Sequence, residues 1–209
     1  MAEPIENEFF ESRAASVARE TGETSVRVEL ELDRAEASAS VYENSTGVGF
    51  LDHMLDLFAK HGRFGLRVSC EGDLHVDEHH SVEDVGITLG QAFREALGEK
   101  TFIRRFGHAY VPMDEALARA VVDLSGRFYL HFDSPWTRER VGDLPVELIE
   151  HFWYSFAENA RCNLHVDVLN GRNAHHQIEA IFKAVARALR EAVHRDAAYS
   201  RTPSTKGSL

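Results

Sequence analysis

His79-His80-Ser81-Val82-Glu83 and His175-His176-Gln177-Ile178-Glu179 decide how this chain is read: the pattern HHxxE occurs twice, 96 residues apart. Apolar residues recur at helical spacing after each copy. Val82, Val85, Leu89, Phe93 and Ala96 follow the first, and Ile178, Phe182, Val185, Leu189 and Val193 the second. Steps of three and four residues put such side chains on one helix face, so two amphipathic helices are expected. Further upstream, DHMLDLFAKHGRFGLRV from Asp52 matches EHFWYSFAENARCNLHV from Glu150 at an offset of 98, two residues being dropped before the HHxxE block. Acid-His opens both blocks. Phe58-Ala59 lies over Phe156-Ala157, Leu66 over Leu164 and Val68 over Val166. The order strand material, short helix opened by acid-His, strand, HHxxE helix therefore occurs twice. A looser match, TSVRVELELD from Thr24 against ALARAVVDLSG from Ala116, extends it forward.

This repeat sets the fold expectation. Each half supplies several strands and two helices, which is an α+β pattern with the helices on one face of a largely antiparallel sheet. The halves run from about residue 10 to 100 and from 108 to 195, with a tail over 196–209. The break falls near the punctuation of Gly98, Gly107 and Pro112.

The bulk properties agree. The chain has 209 residues, 44% of them hydrophobic and 27% charged, as expected of a soluble globular protein. A net charge of −11 argues against nucleic acid as the main partner, since phosphate backbones are met by basic surfaces. The two cysteines, Cys70 and Cys162, show no paired spacing and read as free thiols in a reducing compartment. The N-terminal stretch resembles neither a signal peptide nor a presequence, and no segment reaches the roughly 20 apolar residues of a membrane span. A cytoplasmic enzyme is the expectation.

Twelve histidines are the unusual part of the composition. On a helix, residues three and four apart are neighbours, so His79 or His80 can share a face or corner with Glu83. Adjacent histidines diverge by about 100° and cannot point the same way. A single HHxxE also has a plainer reading, as exposed or hydrogen-bonding residues at a helix start. Two copies on a duplicated framework, each preceded by acid-His, favour metal ligation. The repeat offers His53, His79, His80, Glu83, His151, His175, His176 and Glu179. Divided over two ions, this gives three imidazoles and one carboxylate each. Such donors suit Mn, Fe, Co, Ni or Zn rather than Ca or Mg, and a six-coordinate ion would keep open positions for chemistry. His61, His75, His108, His131, His165 and His194 are read as ordinary residues. Asp77, Asp84 and Asp167 are read as turn or cap residues ahead of the alternative, acceptors that orient the ligands.

The basic residues are few. Arg104-Arg105 precede Phe106-Gly107, Arg127 follows Ser125-Gly126, and Lys183 stands one turn after Glu179. Ser204, Thr205, Lys206 and Gly207 combine hydroxyls, glycine and a point charge, the makings of a phosphate cradle. By itself that stretch reads more readily as a disordered tail.

Taken together, several motifs resemble one family. They are GFLDHMLDLFAKHG (Gly49 to Gly62), DEHHSVEDVGITLG (Asp77 to Gly90), RRFGHAYVPMDEAL (Arg104 to Leu117), VVDLSGR (Val121 to Arg127), EHFWYSFA (Glu150 to Ala157), NAHHQIEAIFKAVARAL (Asn173 to Leu189) and STKG (Ser204 to Gly207). In this order, over almost the whole chain, they are similar to imidazoleglycerol-phosphate dehydratases of histidine biosynthesis. The resemblance implies a ribosomal protein S5 domain 2-like fold, with duplicated halves each of a four-stranded sheet and two helices. It implies two Mn²⁺ ions at the eight positions above, and a closed assembly of 24 subunits with active sites at their interfaces. It implies phosphate contacts at Arg105, Arg127, Lys183, Ser204 and Lys206, and a C-terminal tail that closes over substrate. It also implies an acid/base role for Glu23. Leu57 and Phe128 depart from the family's usual glutamine and proline.

The chemistry implied is removal of water from D-erythro-imidazole-glycerol phosphate to give imidazole acetol phosphate. The proton lost lies beside no carbonyl, so the imidazole ring must act as electron sink, which a pair of metals on the ring nitrogens would favour. Two rivals stand at this point. One is a binuclear hydrolase, which needs no carbon-acid base such as Glu23; the other is a non-catalytic metal-binding protein, whose ions would have no open positions.

Overall fold

A computed structural model describes residues 12–33, 42–196 and 203–204. Strands β1 (Ala14–Glu20), β2 (Thr24–Glu31), β3 (Tyr42–Ser45) and β4 (Gly65–Gly72) form one sheet in the order β1-β2-β4-β3. Strands β5 (Phe106–Met113), β6 (Ala116–Asp123), β7 (Tyr129–Asp133) and β10 (Asn163–Asn170) form a second in the order β5-β6-β10-β7. The two orders are the same order. In each sheet two pairings are antiparallel, and the last, β3 with β4 or β7 with β10, is parallel. Parallel neighbours need a crossover. Helix α1 (Gly49–Gly62) supplies it in the first half and α3 (Glu147–Ala160) in the second, where the short ribbon of β8 (Arg140–Val141) and β9 (Leu144–Pro145) precedes α3.

The remaining helices, α2 (His79–Leu97) and α4 (Ala174–Val193), carry the two HHxxE motifs. The expected apolar stripes are the buried ones: Val82, Val85, Leu89 and Phe93 in α2, and Ile178, Phe182, Val185 and Leu189 in α4, are fully enclosed. In α2 the stripe faces β1 and β2, and in α4 it faces β5 and β6. The halves then meet through their helices, α2 on α3 and α1 on α4. Glycines permit the first contact: a Cβ at Gly86 or Gly90 would lie 2.9 or 2.5 Å from the carbonyl oxygens of Phe152 and Phe156. Between the helices Phe58, Phe93, Phe152, Trp153, Phe156 and Phe182 form one aromatic core, with Trp153 and Phe182 centroids 4.7 Å apart.

One detail differs from expectation. Acid-His does not open the short helices; α1 begins at Gly49 and α3 at Glu147, so Asp52 and Glu150 sit at the end of the first turn. The looser forward match proves to be structural, because β2 and β6 are the equivalent eight-residue strands of the two sheets. Cys70 and Cys162 are free and buried, and burial pushes the Cys162 thiol up to about 12, where it is inert. Among the described residues no helix is long and apolar enough to cross a membrane.

Candidate metal centre

The first turns of the helices are held by side chains that reach across loops. Asp77 Oδ1 accepts from the backbone N–H of His79 at 2.9 Å, and Asn173 Oδ1 from that of His175 at 3.0 Å. The same cap therefore stands two residues before each HHxxE. Helix α1 has no cap from its own Val48; instead Asp143, from the second half, accepts from the N–H groups of Gly49 and Phe50 at 2.9 and 3.2 Å. Asp52 Oδ1 accepts from Thr46 N and Thr46 Oγ1 at 2.7 and 2.6 Å, which fixes the loop leading to His53.

Six of the eight candidate ligands gather into two trios, and each trio draws on both halves. His53 from α1 joins His175 and Glu179 from α4: its Nε2 is 3.2 Å from Glu179 Oε1, which is 2.9 Å from His175 Nε2. His151 from α3 joins His79 and Glu83 from α2, with Nε2 to carboxylate distances of 3.3 and 4.0 Å. In either trio the donor atoms lie within 4.8 Å of one another. A metal–donor bond of about 2.1 Å sets two donors on one ion roughly 3 to 4 Å apart, so little contraction is required. His151 Nε2 is buried and makes no hydrogen bond, although Glu83 is close. A buried imidazole nitrogen without a hydrogen-bond partner is costly in an empty pocket and natural beside a cation. Imidazole nitrogens and a carboxylate fit a divalent transition metal.

The trios differ electrostatically. Burial works to raise the pKa of Glu179, but Lys183, then His175 and His53, outweigh it and hold the carboxyl at about 2. Lys183 Nζ lies 2.5 Å from Glu179 Oε2. Among the described residues Glu83 has no such lysine, and it is 37% exposed.

His80 and His176, expected among the eight ligands, join neither trio, so each trio has two imidazoles and one carboxylate where three and one were expected. Each ring stands nearly perpendicular to its neighbour, at 84° for His79 and His80 and 86° for His175 and His176. Each meets carboxylates instead. Asp73 lies 3.1 Å from His80 Nδ1, and Glu23 Oε1 is 3.7 Å from His80 Nε2. Glu115 Oε2 lies 2.7 Å from His176 Nδ1, and Asp114 is 3.7 Å from His176 Nε2. Hydrogen bonds to Asp73 and Glu115 raise the pKa values of His80 and His176. Those to His176, Asn173 and Arg172 lower Glu115 to about 2.

These shifts carry a sign. Raised histidine values stabilise the metal-free fold below the ordinary histidine pKa near 6.5, and that contribution disappears as pH rises through the shifted values. Metal binding runs the other way, because protons compete for the same nitrogens. The gain in melting temperature on adding Mn²⁺ is therefore expected to grow between about pH 6 and about pH 8. Differential scanning calorimetry at both pH values measures it; an equal gain at both would contradict ligation by these histidines.

The candidate phosphate residues are dispersed within one chain. Arg105 Nε and Nη2 donate to Asp123 at 2.7 and 3.0 Å, and its Nη1 to the Pro203 carbonyl at 2.6 Å, which brings Ser204 near it. The Arg105 backbone N–H donates to Ala192 O, nine residues along α4 from Lys183 and so about 14 Å away at 1.5 Å per residue. Lys183 belongs to the Glu179 cluster. Arg127 lies in the turn after Ser125, whose Oγ accepts from its N–H at 3.2 Å. Lys206 lies outside the described residues. Leu57 packs against the core, and Phe128 meets Tyr154 edge-on at 4.8 Å.

Asp77 acts as a cap, as expected. Asp84 lies inside α2 and Asp167 inside β10, so neither is the turn or cap residue expected; Asp84 accepts from Thr24 Oγ1 and Arg19, Asp167 from Arg119, and neither orients one of the eight. The carboxylates that do touch them, Asp73 and Glu115, were not singled out by sequence reasoning. Both sit in turns, where no periodicity marks them.

Comparison with known proteins gives one answer. A family model described as imidazoleglycerol-phosphate dehydratase matches residues 46–189. An imidazoleglycerol-phosphate dehydratase of Salinibacter ruber is 60% identical over 200 residues, covering 96% of this chain and 97% of that protein. One from Lacticaseibacillus casei is 54% identical, covering 94% of this chain and 100% of that protein. The crystal structure of the Staphylococcus aureus enzyme superposes with a TM-score of 0.78 at 40% identity, over 88% of this chain and 99% of that one. The Pyrococcus furiosus structure gives 0.78 at 38% identity, over 92% and 100%.

Proposed function

Because the chain belongs to the imidazoleglycerol-phosphate dehydratase family, we propose that it converts D-erythro-imidazole-glycerol phosphate into imidazole acetol phosphate and water, using two divalent metal ions per subunit, Mn²⁺ in the first place. The observation that supports this best is the reciprocal exchange of ligands: each half lends one histidine to the His–Glu pair of the other. Two similar donor sets suit a substrate ring with two similar nitrogens. Divalent ions held by the two trios would supply Lewis acidity toward the substrate ring.

The chain's own residues do the rest. The trios His53, His175, Glu179 and His79, Glu83, His151 hold the ions, and His80 and His176, turned outward, complete donor sets of other subunits in a homo-oligomer, for which the family resemblance suggests 24 copies. Glu23 stands exposed on the β1–β2 turn and moves the carbon-bound proton. Arg105, Arg127, Lys183, Ser204 and Lys206 grip the phosphate, supplied by more than one subunit, since Arg105 and Lys183 are far apart in one chain. Binding energy from the phosphate then orients the reacting carbons. The reaction belongs in the cytoplasm with the rest of histidine biosynthesis.

The test is direct. Metal-loaded protein incubated with imidazole-glycerol phosphate is expected to form an enolisable ketone, read by its absorbance in alkali. Folded protein with bound Mn²⁺ and no turnover would overturn the assignment.

A further inference from the structure

The repeat extends to a pair of glutamates that have taken different roles. Strands β2 and β6 are equivalent, and the residue before each is a glutamate: Glu23 before Thr24 and Glu115 before Ala116. Each stands beside the outward histidine of its own half. Their surroundings differ. The Glu23 side chain is 56% exposed, with His80 Nε2 at 3.7 Å, beyond hydrogen-bond reach. Glu115 is tied down by three donors. Its Oε1 accepts from the N–H groups of Arg172 and Asn173 at 3.1 and 2.8 Å, and its Oε2 from His176 Nδ1 at 2.7 Å.

In the first half another residue takes the orienting contact. Both Asp73 oxygens lie 3.1 Å from His80 Nδ1, and the Asp73 N–H donates to the Glu23 carbonyl at 3.1 Å. Each outward ring thus has a carboxylate on Nδ1. A proton held there leaves the Nε2 lone pair available to a cation, the form a metal requires.

We infer that Glu115 and Asp73 are positioning residues, each fixing the tautomer and direction of one outward histidine, and that Glu115 is the counterpart of Glu23 diverted from proton transfer to orientation. The inference rests on the reading of His80 and His176 as metal ligands. Glu115 also anchors the turn before α4, so its two tasks must be separated. Glu115→Gln does so. One amide oxygen can still accept from the Arg172 and Asn173 N–H groups, but the NH₂ then faces His176 Nδ1. That nitrogen must become the acceptor, which moves the proton to Nε2 and closes the ligand. The flipped amide would aim its NH₂ at two N–H donors.

The experiment is a Co²⁺ titration of the metal-free full-length chain, followed by visible absorption, with thermal unfolding alongside. Wild type is expected to take two ions per chain. Glu115→Gln is expected to melt near wild type yet bind one of the two about 10- to 100-fold more weakly, the usual effect of losing a partner that orients a ligand. Asp73→Ala, which touches no helix cap, should weaken the other ion by a similar factor. Asp73→Asn, whose amide oxygen can still accept from Nδ1, should recover most of it. Two equally tight ions in folded Glu115→Gln, or full affinity in Asp73→Ala, overturns the inference while leaving the metal reading intact. A wild-type chain that takes up no Co²⁺ overturns the metal reading and this inference with it.

Discussion

Glu179→Ala is expected to destabilise the metal-free protein by about 3 kcal/mol, whereas Glu83→Ala, at the equivalent position of the other repeat, should change its stability little. Both variants should lose one ion. The asymmetry comes from Lys183. The Glu179 and Lys183 side chains are 9% and 13% exposed and in contact, so removing the carboxylate leaves an enclosed ammonium without its counter-charge. His53 and His175 lose the same acceptor. Glu83 is more exposed, and its neighbours in the trio are the two histidines, His79 and His151. Urea unfolding of the metal-free variants separates the two effects, and equal losses at both positions would contradict this account. A lysine beside one ligand and not the other also makes the two metal sites unequal in charge, so they should fill in sequence rather than together.

Glu23→Gln is expected to lower turnover by a factor of about 10² to 10⁴, the range for loss of a positioned acid/base, while metal content and melting temperature stay at wild-type levels. The separation is the point of the test. The Glu23 side chain is exposed and makes no hydrogen bond among the described residues that a glutamine would break, whereas its backbone N–H and carbonyl, bonded to Thr21 Oγ1 and Asp73 N, are unchanged by the substitution. Stopped assays with Mn²⁺-loaded variant, alongside metal analysis, decide it. A wild-type rate removes Glu23 from the mechanism; loss of metal recasts it as support for His80.

Much of this protein is legible in one dimension. Helical periodicity and the i, i+4 spacing of His and Glu are properties of a single segment, so α2, α4 and the pairs His79–Glu83 and His175–Glu179 follow from local geometry. The duplication is legible for the same reason, because equivalent segments bury equivalent faces. The family motifs likewise name the reaction, since they are spread along the chain in order.

What only the tertiary structure decides is which distant segments meet. The sequence offers six histidines and two glutamates for two ions, but not that His53 meets the His175–Glu179 pair on α4 and His151 the His79–Glu83 pair on α2. That exchange is set by helix packing across the halves, α1 on α4 and α2 on α3, where Gly86 and Gly90 admit the backbone of α3. The divergence of His80 and His176 from the trios follows from the 100° step between neighbours; the carboxylates beside them do not. Glu115 acts from the β5–β6 turn, 61 residues before His176, and reaches it because β10, which leads into α4, lies beside β6; Asp73 stands seven residues before His80, ahead of the helix that carries it. The residues able to bind metal were therefore written in the sequence as types and spacings. Their partition into two trios, and the reach of Glu115 to His176, come from contacts between segments far apart along the chain, which burial of the shared core brings together.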